Sequence, residues 1–503
     1  MQKTYQKPFP GESVINSLQD YLKIKFNSMS EKFFQILVFV LFVVLEILIA
    51  VFFDTNIDFD AVSRVKGGLE YYAGELGLDF VQWLPFFKCG HIWLPLFQWL
   101  IGLSVVFPLQ ITEVSLVAAM VVGETISALS AAGTAIYVYR ILRDFFELNR
   151  GQASLGFVFL LVHGQWVAHG SQAMTEILSI FLLVATTYHM TLFLTRESSV
   201  SFHLILATLF ASLNNLLRYE AWVLIGGAGV LLIGFQMYKM LQARKLDKKA
   251  IELIFRLMNF LLLPSLTVII WELFTFKMTG SFTGTTDWII EHTGNWGLVS
   301  ITALNPFNSL IVFFTRLSTT SIFWILIPWL LLRSRNFEWL KTKKLETKNF
   351  IIVQWCVLSL FASLTYLLIV GGISTSSLRH FLFVVPYVAI TGGVLCAKET
   401  IEISKYRFTA IQWGILAIYS VLMLILLFLG ASSFDFNEFY VAIPYLAIVG
   451  LLLLIRMKER TNRFSKYLQF ILYASLIVSG LTLLNMHWIH LINLEKYPDS
   501  FIP

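Results

Sequence analysis

The chain has 503 residues, of which 57% are hydrophobic and only 14% charged, against roughly 25% charged in an ordinary soluble domain. That balance excludes a water-soluble globular enzyme. The formal net charge of +6 is spread over many short loops, so it speaks to membrane topology and not to nucleic-acid binding. Three cysteines, Cys89, Cys356 and Cys396, are too few and too scattered for a disulfide framework or a thiolate metal site.

Many apolar runs reach the ~20 residues a helix needs to cross a bilayer core. They are continuously apolar and do not alternate, so they read as α-helices that satisfy their own backbone hydrogen bonds in lipid. The expected class is an all-α polytopic membrane protein. Residues 1–32 are polar, carry Lys3, Lys7, Lys23 and Lys25, and show no cleavable signal core, which marks a cytoplasmic N-terminal segment. The first span covers 33–53. A polar loop, 54–113, follows it and gathers Asp54, Asp58 and Asp60, then Arg64, Lys66, Lys88 and His91.

Within that loop Ile92 to Phe107 is apolar, but at about 16 residues it is short for a span. Pro95 and Gln98 interrupt it, and the expectation is a surface or re-entrant piece. The next run, 114–139, ends at Arg140, Arg143 and Arg150, which the positive-inside rule places in the cytoplasm. Further spans are expected near 153–169, 171–195, 202–218, 221–239, 257–276, 306–332, 350–371, 380–397, 409–430, 441–456 and 467–486. Lys and Arg fall mainly in alternate loops, giving about 13 spans with the N-terminus inside and the C-terminus outside. The first loop is then at the outer face, with short helices.

Ionisable residues in or beside hydrocarbon are expensive and read as functional candidates. Glu124 lies inside an apolar run, Glu176 at the outer start of one, and Arg218-Tyr219-Glu220 between two. Arg379 and His380 also fall at the outer face, where an arginine fork suits a lipid-linked phosphate. Asp58 and Asp60 form a D-x-D, a spacing used for divalent cations, so Mg²⁺ or Mn²⁺ is a candidate cofactor. The phosphate loop GxxxxGK[ST], HExxH and GxSxG are absent from the sequence.

The order of these pieces carries a resemblance. An Asp-rich loop after span one is followed by GHIWLPLFQ, YRILRDFF, QAMTEILSIFLL, LLRYEAW and LRHFLFVVP. This resembles the GT-C superfamily of polytopic glycosyltransferases, in the group of protein O-mannosyltransferases and bacterial or archaeal lipid-linked sugar transferases. The resemblance spans 33–395, a transmembrane catalytic region that includes the outer loop 54–113. Residues 396–503 would add C-terminal transmembrane helices and a short outer tail.

The resemblance implies a first-loop carboxylate as catalytic base and a polyprenyl-phosphate-linked sugar as donor. Asp58 or Asp60 is the expected base, with Asp54 a third choice, because the loop lacks the Asp-Glu pair of many members. Arg379, Arg218, Lys88 and His91 would hold the donor phosphate, and Glu176, Glu220 and His380 would position the reactants. A Trp-Trp-Asp-Tyr-Gly motif is missing, which favours transfer of one sugar, hexose or mannose-like, over a whole oligosaccharide. The acceptor could be protein, lipid or glycan, reached at the outer face of the plasma membrane among membrane lipids, with no nucleic-acid partner. The rival reading is a transporter or flippase of a lipid-linked or anionic substrate, but the two related halves common in transporters are not visible.

Overall fold

A computed structural model describes residues 28–53, 116–161, 163–195, 200–243, 248–281 and 378–402, together with 65, 94–97, 99–101, 104, 354–355 and 358–359. Every regular element among the described residues is helical. In chain order these are α1 (Glu31–Phe53), α2 (Leu116–Asp144), α3 (Arg150–Ala153), α4 (Leu155–Leu161) and α5 (Gly164–Gly170). They are followed by α6 (Thr175–Thr195), α7 (Val200–Asn215), α8 (Tyr219–Ala243), α9 (Lys248–Thr279), a 3-10 turn (Leu378–Val384) and α10 (Val385–Glu402). Among the described residues five helices are long and apolar enough to cross a membrane: α1, α2, α6, α8 and α9. The chain is an integral membrane protein.

The helix α6 is the axis of the described bundle. It is buried from Thr175 to Phe193 save for Phe181 and packs against α2, α7, α5 and the 3-10 turn. Its hydroxyls are hidden by bonding back one turn. Thr186, Thr187 and Thr191 donate to the carbonyls of Leu182, Leu183 and Thr187 at 2.8, 2.9 and 2.7 Å. Thr187 Oγ1 also meets the Tyr387 hydroxyl at 2.9 Å, which ties α6 to α10.

The outer helices are apolar on the face they turn away from the bundle. Ile36, Val40, Leu41 and Val51 of α1, and Phe255, Leu262, Leu266, Ile270 and Leu273 of α9, are exposed. Such faces suit lipid, where no water competes and internal packing rests on small residues and close fit. Gly133 supplies one such fit. A Cβ there would lie 2.5 Å from the Phe181 ring, so α2 and α6 approach closely at this point.

The expected span 153–169 is not one helix. It is the chain α3–α4–α5, opened by Asn149, whose side chain accepts from the Gln152 amide at 3.0 Å and whose amide donates to Gln152 Oε1 at 3.1 Å. His163 breaks the run before α5, its ring bonded to the Phe159 carbonyl at 2.5 Å. Hydropathy cannot see the break at His163, because α4 and the described residues of α5 on either side of it are mostly apolar and buried. The stretch expected to lie at the surface or re-enter, 92–107, is described at Leu94 to Phe97 and Trp99 to Ile101. Phe97 and Ile101 are fully buried inside the protein.

At the other end of α1 a polar clip closes the bundle. Glu31 accepts from the Tyr139 hydroxyl at 2.5 Å and from Arg150 Nη2 at 3.2 Å, with Arg143 3.7 Å away. Arg150 also reaches the Met29 carbonyl at 2.8 Å. Two of the three arginines that close the second apolar run in the sequence, Arg143 and Arg150, thus hold the start of the first.

Candidate active site

Two turns carry the site. The first, Ser171 to Met174, joins α5 to α6, and Ser127 of α2 grips it: its hydroxyl donates to the Met174 carbonyl at 3.2 Å and accepts from the Met174 amide at 3.4 Å. Gly123 of α2 lets Ala173 come close, since a Cβ on Gly123 would lie 2.6 Å from that of Ala173. The turn delivers Glu176 into the first turn of α6, where the helix dipole favours a carboxylate.

The second turn, Leu216 to Arg218, joins α7 to α8. Its amides bond back to α7, with Leu217 N–H to the Asn214 carbonyl at 2.9 Å. Trp222 Nε1 donates to the Asn215 carbonyl at 2.7 Å, and Asn215 Nδ2 donates to the carbonyl of Pro264 in α9 at 2.9 Å. Ser179 Oγ reaches Asn214 Oδ1 at 2.5 Å, linking α6 to the end of α7. These bonds fix where Arg218 and Glu220 project.

Between the turns lies a buried ion triad. Arg218 Nη1 donates to Glu176 Oε1 at 2.7 Å. Its Nε and Nη2 donate to the two oxygens of Glu220 at 3.2 and 2.6 Å, a forked pairing. Arg218, Glu220 and Glu176 are 6%, 4% and 0% exposed. Taking three charges out of water is costly, and only mutual attraction and good hydrogen-bond geometry offset it. Two carboxylates to one guanidinium leave these three residues with a formal charge of −1.

An apolar shell surrounds the triad's turns and reaches into the first loop. Val65, Phe97, Ile101, Ala119, Ala173, Met174, Leu178 and Leu217 form one buried cluster. The Leu96 amide donates to the Leu216 carbonyl at 3.0 Å, so the Leu94–Phe97 piece sits directly on the turn that presents Arg218.

Of the residues singled out in the sequence, the described structure brings Glu176, Arg218 and Glu220 together. Glu124 is half-buried on α2 and is not one of this triad. Asp54, Asp58, Asp60, Lys88 and His91 lie outside the described residues. Arg379 and His380 lie on the 3-10 turn Leu378–Val384, which packs against α5 and α6. No group of three or more metal-binding side chains occurs among the described residues. Glu46, fully buried in the middle of α1, escaped the sequence reading, although one acid inside the apolar run LFVVLEILIAVFF was the signal for it.

No family model and no curated protein matches the chain. Among solved structures it resembles ArnT from Cupriavidus metallidurans bound to undecaprenyl phosphate. The match has a TM-score of 0.51 over 93% of this chain and 80% of that one, at 11% identity. The chain therefore shares the overall fold of that structure. At this identity the likeness to ArnT is one of fold.

Proposed function

We propose that the protein is a membrane glycosyltransferase that moves one sugar from a polyprenyl-phosphate donor to an acceptor at the outer face of the plasma membrane. The observation that supports this most is the buried Glu176–Arg218–Glu220 triad, set in a fold shared with ArnT against residues of the first loop. The sugar is taken as a hexose, mannose-like, and the acceptor as a hydroxyl on protein, lipid or glycan.

In this reading Asp58 or Asp60, with Asp54 as the third choice, takes the proton from the acceptor hydroxyl as its oxygen attacks the anomeric carbon. The bond from that carbon to the donor phosphate oxygen breaks, and the polyprenyl phosphate leaves with the bond's electron pair. Arg379, Lys88 and His91 offset the charge gathering on the departing phosphate. Arg218 acts as a fixed charge, since the triad holds its guanidinium on three sides. Glu176 and Glu220 set that charge in place, and His380 positions the reactants beside Arg379. Asp58 and Asp60 are also the residues assigned to a divalent cation, Mg²⁺ or Mn²⁺.

Alanine at Asp54, Asp58 and Asp60 in turn, assayed with polyprenyl-phosphate hexose, tests the assignment. Loss of the general base is expected to slow transfer about 10²–10⁴-fold at one of the three positions. Undiminished transfer in all three variants, with the protein present in the membrane, would remove the first loop from the mechanism.

A further inference from the structure

The helix α1 turns one stripe inward: Phe34, Val38, Phe42, Glu46 and Ile49, spaced by three or four residues as a helix face requires. Four of the five are apolar. Glu46 is fully buried, and neither carboxyl oxygen has a hydrogen-bond partner among the described residues. A leucine or methionine would fill this place without burying an unsatisfied polar group. Stability therefore argues against the residue found here, and an acid in such a place reads as functional by default.

What faces Glu46 is specific. Phe42 meets the Trp166 ring of α5 edge-on, with centroids 6.3 Å apart. One turn further along both helices, Glu46 meets Gly170. A Cβ on Gly170 would lie 2.7 Å from the Glu46 carboxyl carbon and 2.7 and 2.8 Å from its oxygens. Glycine is the residue that leaves room for the carboxyl.

Gly170 ends α5, and the turn Ser171–Met174 that starts there delivers Glu176. The carboxyl of Glu46 is thus wedged against the root of that turn, while Ser127 and Gly123 hold its far end. The turn's own first backbone bonds are long. Ser171 N–H reaches the Ala168 carbonyl at 3.3 Å and Gln172 N–H reaches the His169 carbonyl at 3.4 Å, just beyond the usual range of about 2.7–3.2 Å, and the Ser171 hydroxyl donates to the same Ala168 carbonyl at 2.8 Å.

We propose that Glu46 is a positioning residue for the Glu176–Arg218–Glu220 triad, acting through Gly170 and the Ser171–Met174 turn. It sets the height of the turn through its close contact with Gly170. It makes no contact with the sugar or the phosphate. The inference rests on the reading of the triad as part of the transfer site.

The test uses the full chain in lipid nanodiscs. Glu46→Met, which keeps volume and removes the orphan acid, is expected to raise the unfolding temperature. It is also expected to lower kcat about tenfold or more with little change in donor KM, as a small misplacement of reacting groups does. Glu46→Gln, which keeps shape and hydrogen-bonding capacity, is expected to recover most of that loss. Full kcat in Glu46→Met overturns the inference.

A second measurement does not depend on activity: a double-mutant cycle of Glu46→Met with Glu176→Gln on unfolding temperature. Coupling between the two is expected, because Glu46 acts on the turn that carries Glu176. If the wild type shows no sugar transfer at all, the transferase reading falls while the cycle still judges this inference. Additive shifts then overturn it.

Discussion

Arg218 donates from Nη1 to Glu176 Oε1 at 2.7 Å, across 42 residues of chain and between two different helix turns. The same guanidinium grips Glu220, two residues on, through Nε and Nη2. One side chain therefore locks the start of α6 to the start of α8. Because all three partners are buried, the lock is strong only while it is complete.

Removing the cation should show this most sharply. Arg218→Met leaves two carboxylates facing each other in a dry interior, a loss of about 3–5 kcal/mol for a broken buried pair. Arg218→Lys keeps charge but loses the fork, and should fall between Met and wild type. Glu220→Gln should cost less than Arg218→Met, since it leaves the Arg218–Glu176 pair balanced. Unfolding temperatures in detergent give the order.

The close approach at Gly123 makes a packing prediction. Gly123→Ala puts a Cβ 2.6 Å from the Ala173 Cβ, an atom with no rotamer to move away. Overpacking of this kind costs about 1–3 kcal/mol, and because Ala173 belongs to the turn before Glu176, transfer should fall as well. Gly133→Ala meets the end of the Phe181 ring, which can swing aside, so its effect should be smaller. Paired measurements of unfolding temperature and transfer rate distinguish the two.

The Glu31 clip should respond to salt. Its ion pairs with Arg150 and Arg143 are partly exposed, and exposed pairs contribute only about 0.2–1 kcal/mol and are screened by salt. Glu31→Gln should lower the unfolding temperature modestly at low salt and less at high salt. Tyr139→Phe removes a neutral donor to the same carboxylate and should show a weaker salt dependence. An equal loss at both ionic strengths for Glu31→Gln would contradict an electrostatic role.

Arg379 should separate charge from geometry at the donor. If its fork meets the donor phosphate, Arg379→Met should raise donor KM and lower kcat together, and Arg379→Lys should recover only part of each. Wild-type kinetics in Arg379→Met would take this residue out of the phosphate site.

Much of the fold was legible because hydropathy reports what lipid requires. The runs at 33–53, 114–139, 171–195, 221–239 and 257–276 correspond to α1, α2, α6, α8 and α9 within a few residues at most ends. The helix α9 starts well before its run, because the polar first turns at Lys248 and Lys249 carry no apolar signal. The break of 150–170 into three pieces was not legible, since it depends on the Asn149 cap and on His163 within an apolar stretch. The acids and the arginine of the triad stood out as expensive residues near apolar runs. The pairing of Arg218 with Glu176 did not, because it depends on two turns distant in sequence folding to one place. Glu46 was passed over because its run is otherwise so plainly a span.

The most direct test is to follow both halves of a lipid-linked donor in proteoliposomes containing the purified protein. The account predicts that polyprenyl phosphate is released as one sugar appears on the acceptor, and that Arg218→Met slows both together. Passage of the intact donor across the bilayer, with no polyprenyl phosphate released, would contradict it and make the protein a transporter of that lipid.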